Sequence, residues 1–272
     1  MIAWIRIVLV MITIVLVTLV LLPVQLLSNR LGLKLAWYLP RWWHRVAIRL
    51  LGVRVNIHGQ LDTHRPLMLA ANHSSWKDIV VLSSVADVVF IAKSEVKKWP
   101  VFGWLARWQR TIFIEREQRR QTGQQVTEVA KRLADGEIVV LFAEGTTSDG
   151  NRLLGFKSSL FGAAASALGA SPTGSVSIQP VAIAYTHANG IPLGRYGRPL
   201  AAWPGHTRLT PHLLGVLKSG ALDVQVCFGE PVIYGENSNR KQVTRDVEGQ
   251  VRAMLQQQLY RTETPPAEYQ EA

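Results

Sequence analysis

Read for its apolar and polar positions, the chain changes character three times. Residues 7–27 are uncharged and almost wholly apolar. Residues 31–51 interleave aromatic and aliphatic side chains with arginine and lysine. From residue 53 onward, short apolar runs alternate with stretches of helical period. The strand-like runs at 53–58, 67–71, 88–92, 111–114, 138–142, 176–185 and 222–228 are too short and too rich in β-branched residues for helices, and predict strands. The stretches at 78–84, 101–108, 119–134, 158–168 and 240–260 predict helices. Continuous rather than alternating apolar strands belong to a sheet covered on both faces. The expected fold is therefore α/β: a single domain over 53–261, with a mainly buried mixed sheet flanked by helices. No Gly/Ser/Pro-rich linker divides it and no internal repeat is found. The polar tail 262–272, with Pro265-Pro266, is expected to be disordered.

The apolar run at 7–27 would be roughly 31 Å long as a helix, close to the hydrocarbon thickness of a bilayer. It is longer than the core of a usual signal peptide, and no small-x-small cleavage site follows it. Residues 1–30 are expected to form a transmembrane or membrane-embedded anchor. Pro23 keeps a re-entrant segment open as an alternative to a span. Only Arg6 precedes the run, whereas Arg30, Lys34, Arg41, Arg45, Arg49 and Arg54 follow it. Such an asymmetry orients the bulk of the chain toward the cytoplasm, on a cell's inner membrane. Segment 31–52, with Trp37, Tyr38, Trp42 and Trp43 among its cations, fits an interfacial amphipathic helix that Pro40 would break or restart; an ordinary amphipathic core helix is the other reading.

The formal net charge of +11 over 272 residues asks for an anionic partner. A lipid surface and an acidic carrier protein both qualify. Nucleic acid does not, because neither a zinc-finger spacing nor an RNA-binding aromatic motif occurs. The one cysteine, Cys227, lies in a strand-like run and reads as a packed core thiol. Walker and dinucleotide glycine motifs are missing, as is the Gly-x-Ser-x-Gly elbow of serine hydrolases. The histidines are not spaced as metal ligands, so no metal is expected.

Candidate chemistry begins at Asn72-His73-Ser74-Ser75-Trp76-Lys77-Asp78, directly after an apolar strand. Positions five apart on one helix face different ways, so His73 must precede the helix if it is to meet Asp78. Ser74 or Ser75 could cap that helix. An aspartate on one ring nitrogen would leave the other free to take a proton from a hydroxyl. Phe113-Ile114-Glu115-Arg116 would deliver Arg116, a planar fork suited to phosphate or carboxylate, to the end of a strand. In Phe142-Ala143-Glu144-Gly145-Thr146, Gly145 permits a tight turn whose backbone N–H groups could face a ligand. Glu144 could order that loop or pair with Arg116.

These blocks, followed by Ile178-Gln179-Pro180-Val181-Ala182-Ile183, resemble in their joint order the glycerolipid acyltransferase family, whose founding activity is 1-acylglycerol-3-phosphate O-acylation. The resemblance covers about residues 53–232. It implies that His73 is the general base and Asp78 its orienting partner. It also implies that Arg116 holds the acceptor's phosphate, that Glu144, Gly145 and Thr146 belong to the substrate site, and that Lys93 lies near the headgroup. Lys93 also reads as a surface residue at a strand end, and Pro180 suggests an edge position or a bulge.

The family usually has arginine after the Glu-Gly-Thr block, and this chain has Thr147. The run Glu144-Gly145-Thr146-Thr147-Ser148-Asp149-Gly150-Asn151, with Phe156-Lys157-Ser158-Ser159-Leu160-Phe161, is similar to the branch that includes lyso-ornithine lipid O-acyltransferases. Their acceptor has a carboxylate and an ammonium in place of a phosphate. Asp149 could then take the ammonium, although it also reads as a plain turn residue. The expected reaction moves an acyl group from acyl carrier protein or coenzyme A, as co-substrate and without a cofactor, to a lysolipid hydroxyl. A phosphatidate-forming activity is the alternative, as are a hydrolase and a non-catalytic scaffold.

Overall fold

The computed structural model describes residues 2–114, 122–171, 173–205 and 207–260. The amino-terminal half comprises α1 (Ile2–Arg30), α2 (Leu35–Leu50), β1 (Val53–His58), β2 (Leu67–Ala71), α3 (Lys77–Val85), β3 (Val88–Lys93), α4 (Phe102–Trp108) and β4 (Ile112–Ile114). The remainder comprises α5 (Thr122–Ala134), β5 (Ile138–Phe142), α6 (Gly162–Ala167), β6 (Ser175–Ala188), β7 (Ile191–Pro192), α7 (Arg198–Ala201), α8 (Leu209–Ser219), β8 (Leu222–Phe228), β9 (Val232–Gly235) and α9 (Arg240–Leu259). The expected tail at 262–272 and the start of the helix expected over 119–134 lie outside the described residues.

One sheet in the order β1-β8-β6-β2-β5-β3-β4 organises the chain, with β7 and β9 attached to β6. It is mixed, as expected. Strands β6, β2, β5, β3 and β4 run parallel, whereas β8 and β9 pair antiparallel with β6. All residues of β2 are buried because helices cover both faces. One face packs on α2, α3 and α8, with Ile7 and Val10 of α1 beyond them. The other packs on α5, α6 and α9. Cys227 is a buried free thiol in the second layer, as expected.

Proline positions bring two corrections. Pro180 is neither at an edge nor in a bulge. It lies within β6, an interior strand, opposite Ala70 of β2. On the other side of β6, pairing with β9 ends at Ile178 and pairing with β8 begins at Val181. The missing N–H thus falls where no partner strand needs it. The one register shift in β6 comes later, between Tyr185 and His187.

Pro40 does not break its helix either, since α2 runs through it. A proline leaves the carbonyl four residues earlier without its donor. Here that carbonyl is Ala36 O, and the Gln25 amide of α1 donates to it at 3.1 Å and to Trp108 O at 3.0 Å. The Arg6 guanidinium at the other end of α1 donates to Leu50 O and Leu51 O, where α2 ends, and to Leu217 O near the end of α8. Between them, the Trp43 indole donates to Thr18 Oγ1 at 2.9 Å. Helix α1 is thereby fastened along its length, while its outward side exposes Leu9, Leu16, Leu19 and Val20. Segment 31–52 divides likewise: Ala36, His44, Ala47 and Ile48 are buried, and Tyr38 and Trp42 are exposed.

Candidate active site

The end of β2 is held open by a side chain. Asn72 continues the ladder in place of backbone: Nδ2 donates to Ile183 O at 3.0 Å, and Oδ1 accepts from Ile183 N at 2.7 Å. The chain can then turn away, and His73 occupies the corner before α3, as the spacing requires. Its imidazole lies on the Phe142 ring, with centroids 3.9 Å apart and planes 13° from parallel.

His73 Nδ1 meets Asp78 Oδ2 at 2.9 Å. A carboxylate only accepts, so Nδ1 carries the proton and Nε2 is the basic nitrogen. Asp78 is fully buried. Its Oδ2 also accepts from Ser74 N at 2.7 Å and Ser75 N at 2.9 Å, and its Oδ1 from the Tyr185 hydroxyl at 2.9 Å. Three donors besides the histidine hold the carboxylate in place. Of the two serines, Ser75 supplies a long bond at the helix start, its Oγ accepting from Lys77 N at 3.4 Å. Trp76 is the N-cap residue and makes no side-chain cap bond, while Asp78 takes both serine amides.

The turn after β5 closes over the histidine backbone. Glu144 is 1% exposed; its two carboxyl oxygens accept from His73 N at 2.7 Å and Leu154 N at 3.0 Å. Of its two expected roles, ordering the loop is the one these bonds perform. Burial pushes its pKa up to about 8, against the pull of both amides. Ser148 N donates to His73 O at 2.8 Å, so both backbone groups of His73 are held from this side. Gly145 has φ +73°, which favours glycine. Its N–H donates to Phe142 O at 3.1 Å, within the turn itself.

An imidazole fixed by a buried carboxylate at the carboxyl end of parallel strands can accept a proton and return it. The Acyltransferase family model matches residues 53–184. The lyso-ornithine lipid O-acyltransferase of Rhizobium meliloti is 62% identical over 95% of this chain and 89% of its own length. That of Brucella abortus is 53% identical over 84% and 86%. The chain belongs to the acyltransferase family. The crystal structure of the 1-acyl-sn-glycerophosphate acyltransferase PlsC from Thermotoga maritima has the same fold, with a TM-score of 0.62, 23% identity, and coverage of 94% of this chain and 97% of that one.

The other expected site residues of this acyltransferase are distributed unevenly. Thr146 is exposed beside Thr147 on the turn after β5. Asp149 follows Ser148, and its Oδ1 accepts from Asn151 N at 3.0 Å, so it does form a turn. Its other oxygen lies 3.5 Å from Asn151 Nδ2. Lys93 is exposed at the carboxyl end of β3, opposite Ile114 of β4. Arg116 lies outside the described residues. Among the described residues, no group of His, Cys, Asp and Glu could hold a metal ion.

Two members of the cluster escaped the reading of the sequence. Tyr185 gives no local signal, because its bond to Asp78 spans 107 residues. Lys77 did give one: a lone cation between Trp76 and Asp78, directly before the apolar run Ile79-Val80-Val81-Leu82. It is fully buried, donates to Ala201 O at 2.6 Å, and lies 5.0 Å from the centre of the Tyr185 ring. Burial lowers its pKa to about 8, with the Asp78 charge pulling the other way. Beside it the Trp76 indole donates to His212 Nδ1 at 3.0 Å.

Proposed function

We propose that this enzyme esterifies lyso-ornithine lipid. In this reading His73 Nε2 removes the proton from the acceptor hydroxyl as its oxygen attacks the thioester carbonyl. Asp78 stabilises the imidazolium that forms. The tetrahedral intermediate collapses with cleavage of the carbon–sulfur bond, and the imidazolium returns its proton to the departing thiolate. The acceptor alcohol is the nucleophile, so no acyl-enzyme is needed. The observation that carries this reading is the immobilised His73–Asp78 pair.

Acceptor choice rests on different ground. A phosphate brings up to two negative charges, and Thr147 stands where the resemblance expects an arginine. A carboxylate matched by Arg116, with the ammonium on Asp149, fits this charge balance more closely. The names of the similar proteins from Rhizobium meliloti and Brucella abortus support the same acceptor. Lys93, Glu144, Gly145 and Thr146 are assigned to the surroundings of the headgroup. The donor is an acyl thioester of acyl carrier protein or coenzyme A. The basic net charge supports either an acidic carrier or an anionic membrane.

The enzyme is further assigned to the cytoplasmic face of the inner membrane. Fastening of α1 along the body, from Arg6 to Gln25, supports an anchor lying in one leaflet rather than a helix crossing the bilayer. Purified enzyme with a labelled acyl thioester, offered lyso-ornithine lipid and lysophosphatidate together, tests the assignment. Ornithine lipid should be the main product; labelled phosphatidate alone would refute the acceptor, and labelled free fatty acid alone would refute acyl transfer to a lipid.

A further inference from the structure

The stretch joining β3 to β4 carries an outward surface that the reaction does not use. Trp99, Val101 and Trp104 are 36%, 66% and 62% exposed. Val101 and Trp104 are three apart and share a side of the turn into α4, with exposed Arg107 next on that side. Lys97 and Lys98 are exposed just before them. Val101 has φ +62°, an outlier for a β-branched residue, so the backbone is strained where the valine is presented outward. The segment is nonetheless tightly closed: a Cβ on Gly103 would come 2.4 Å from Lys97 O.

Two connections give this surface meaning. The inward side of α4, through Leu105 and Trp108, lines one groove with Leu21 and Leu22 of α1, and Gln25 holds Trp108 O across it. The exposed stripe is thus a neighbour of the apolar side of α1. Toward the reaction centre, the Trp99 ring stands edge-on to Trp203, with centroids 6.2 Å apart, and Trp203 N donates to Ser74 O at 2.6 Å, next to His73. We infer that residues 97–107 form a second membrane-inserting lip, separate from the amino-terminal helices. It seats the mouth of the active site on an anionic lipid surface. Trp99, Val101 and Trp104 enter the acyl-chain boundary, while Lys97, Lys98 and Arg107 meet the headgroups. The inference rests on the membrane placement of α1 proposed above. Its continuity with α1, whose exposed residues are themselves apolar, favours a lipid over an acidic carrier protein as the occupant.

Cys227 is buried, so an environment-sensitive thiol dye can be placed on introduced cysteines of the full-length enzyme. Trp104→Cys reports the lip, Leu16→Cys reports α1, and Gln257→Cys on the opposite face serves as control. With phosphatidylglycerol vesicles carrying quencher-labelled acyl chains, dyes at 104 and 16 should shift to the blue and be quenched, and the dye at 257 should not respond. Neutralising Lys97, Lys98 and Arg107 to glutamine should weaken vesicle binding by on the order of tenfold to a hundredfold at low salt. Trp104→Ser should raise the apparent KM for vesicle-borne lysolipid and leave turnover of a monomeric short-chain acceptor unchanged. Quenching at 16 without quenching at 104 overturns the lip and spares the anchor. No quenching at either overturns both. A dye at 104 that ignores vesicles but responds to acyl carrier protein makes the surface a protein dock and overturns the lipid proposal.

Discussion

The two turns that meet at the reaction centre are built on opposite plans. The turn after β2 is closed: Asp78 and Lys77 are fully buried, and every carboxylate oxygen of Asp78 is engaged. The turn after β5 buries Glu144 but leaves Thr146 exposed and Thr147 and Asp149 partly so. The first fixes a proton acceptor to within a narrow geometry. The second supports it from behind and then faces outward with side chains that few internal contacts constrain. Under the proposed function, chemistry and selectivity thus fall on separate segments, and the headgroup preference should change without disturbing the base.

The largest effect should come from the closed turn. His73→Ala removes the base and should lower kcat by ~10²–10⁴ with the fold retained; near-normal turnover in a correctly folded variant would break the comparison. Asp78→Asn should be nearly as severe, because an amide cannot stabilise the imidazolium and can select the wrong tautomer. Pre-steady-state acyl transfer would separate a slower chemical step from weaker binding. Tyr185→Phe leaves a buried carboxylate oxygen without its hydroxyl partner. It should cost about 1–3 kcal/mol of stability in denaturant melts, with a smaller loss of kcat than either dyad variant.

The closed turn was also the legible one, and the reason is physical. His73 and Asp78 are five residues apart at a strand-to-helix corner, so local spacing contains their geometry. Strands β2 and β5 were legible because doubly covered strands are continuous apolar runs, and β1 and β8 because β-branched residues alternate with polar ones along them. Helix α8 was not, since Thr210, Pro211, His212 and Gly215 interrupt its apolar period. Strand β9 has four residues and no apolar run long enough to mark it. Tyr185 depends on register across the sheet, which no local pattern encodes.

Substitutions in the open turn should act on choice rather than rate. Thr147→Arg should move the ratio of kcat/KM several-fold toward lysophosphatidate, and Asp149→Asn should weaken only the ornithine-headed acceptor. A lowered kcat for both acceptors would show that the outer turn contributes to chemistry after all.

The buried charges should leave a pH signature in stability rather than in turnover. The folded-state pKa of Glu144 is raised from 4.5 to about 8, so the folded state holds more protons than the unfolded state across that window. Stability should fall as pH rises through it. Lys77 is lowered from 10.5 to about 8, so the unfolded state holds more protons above pH 8, and stability should recover toward 10.5. Melting temperatures of wild type, Glu144→Gln and Lys77→Met across pH 5 to 10 should show each slope flatten only in its own variant.

Gln25 supplies the donor that Pro40 lacks, and Arg6 satisfies carbonyls at the ends of two other helices. The first thirty residues therefore act as a brace, and the catalytic body is their client. Shortening the chain to obtain a soluble enzyme would strip partners from three buried backbone ends at once. A foreign transmembrane helix in their place would restore the address but not the brace. An enzyme with such an exchange should reach the membrane and melt at a lower temperature there, and returning only an arginine and a glutamine at positions 6 and 25 should recover most of the loss.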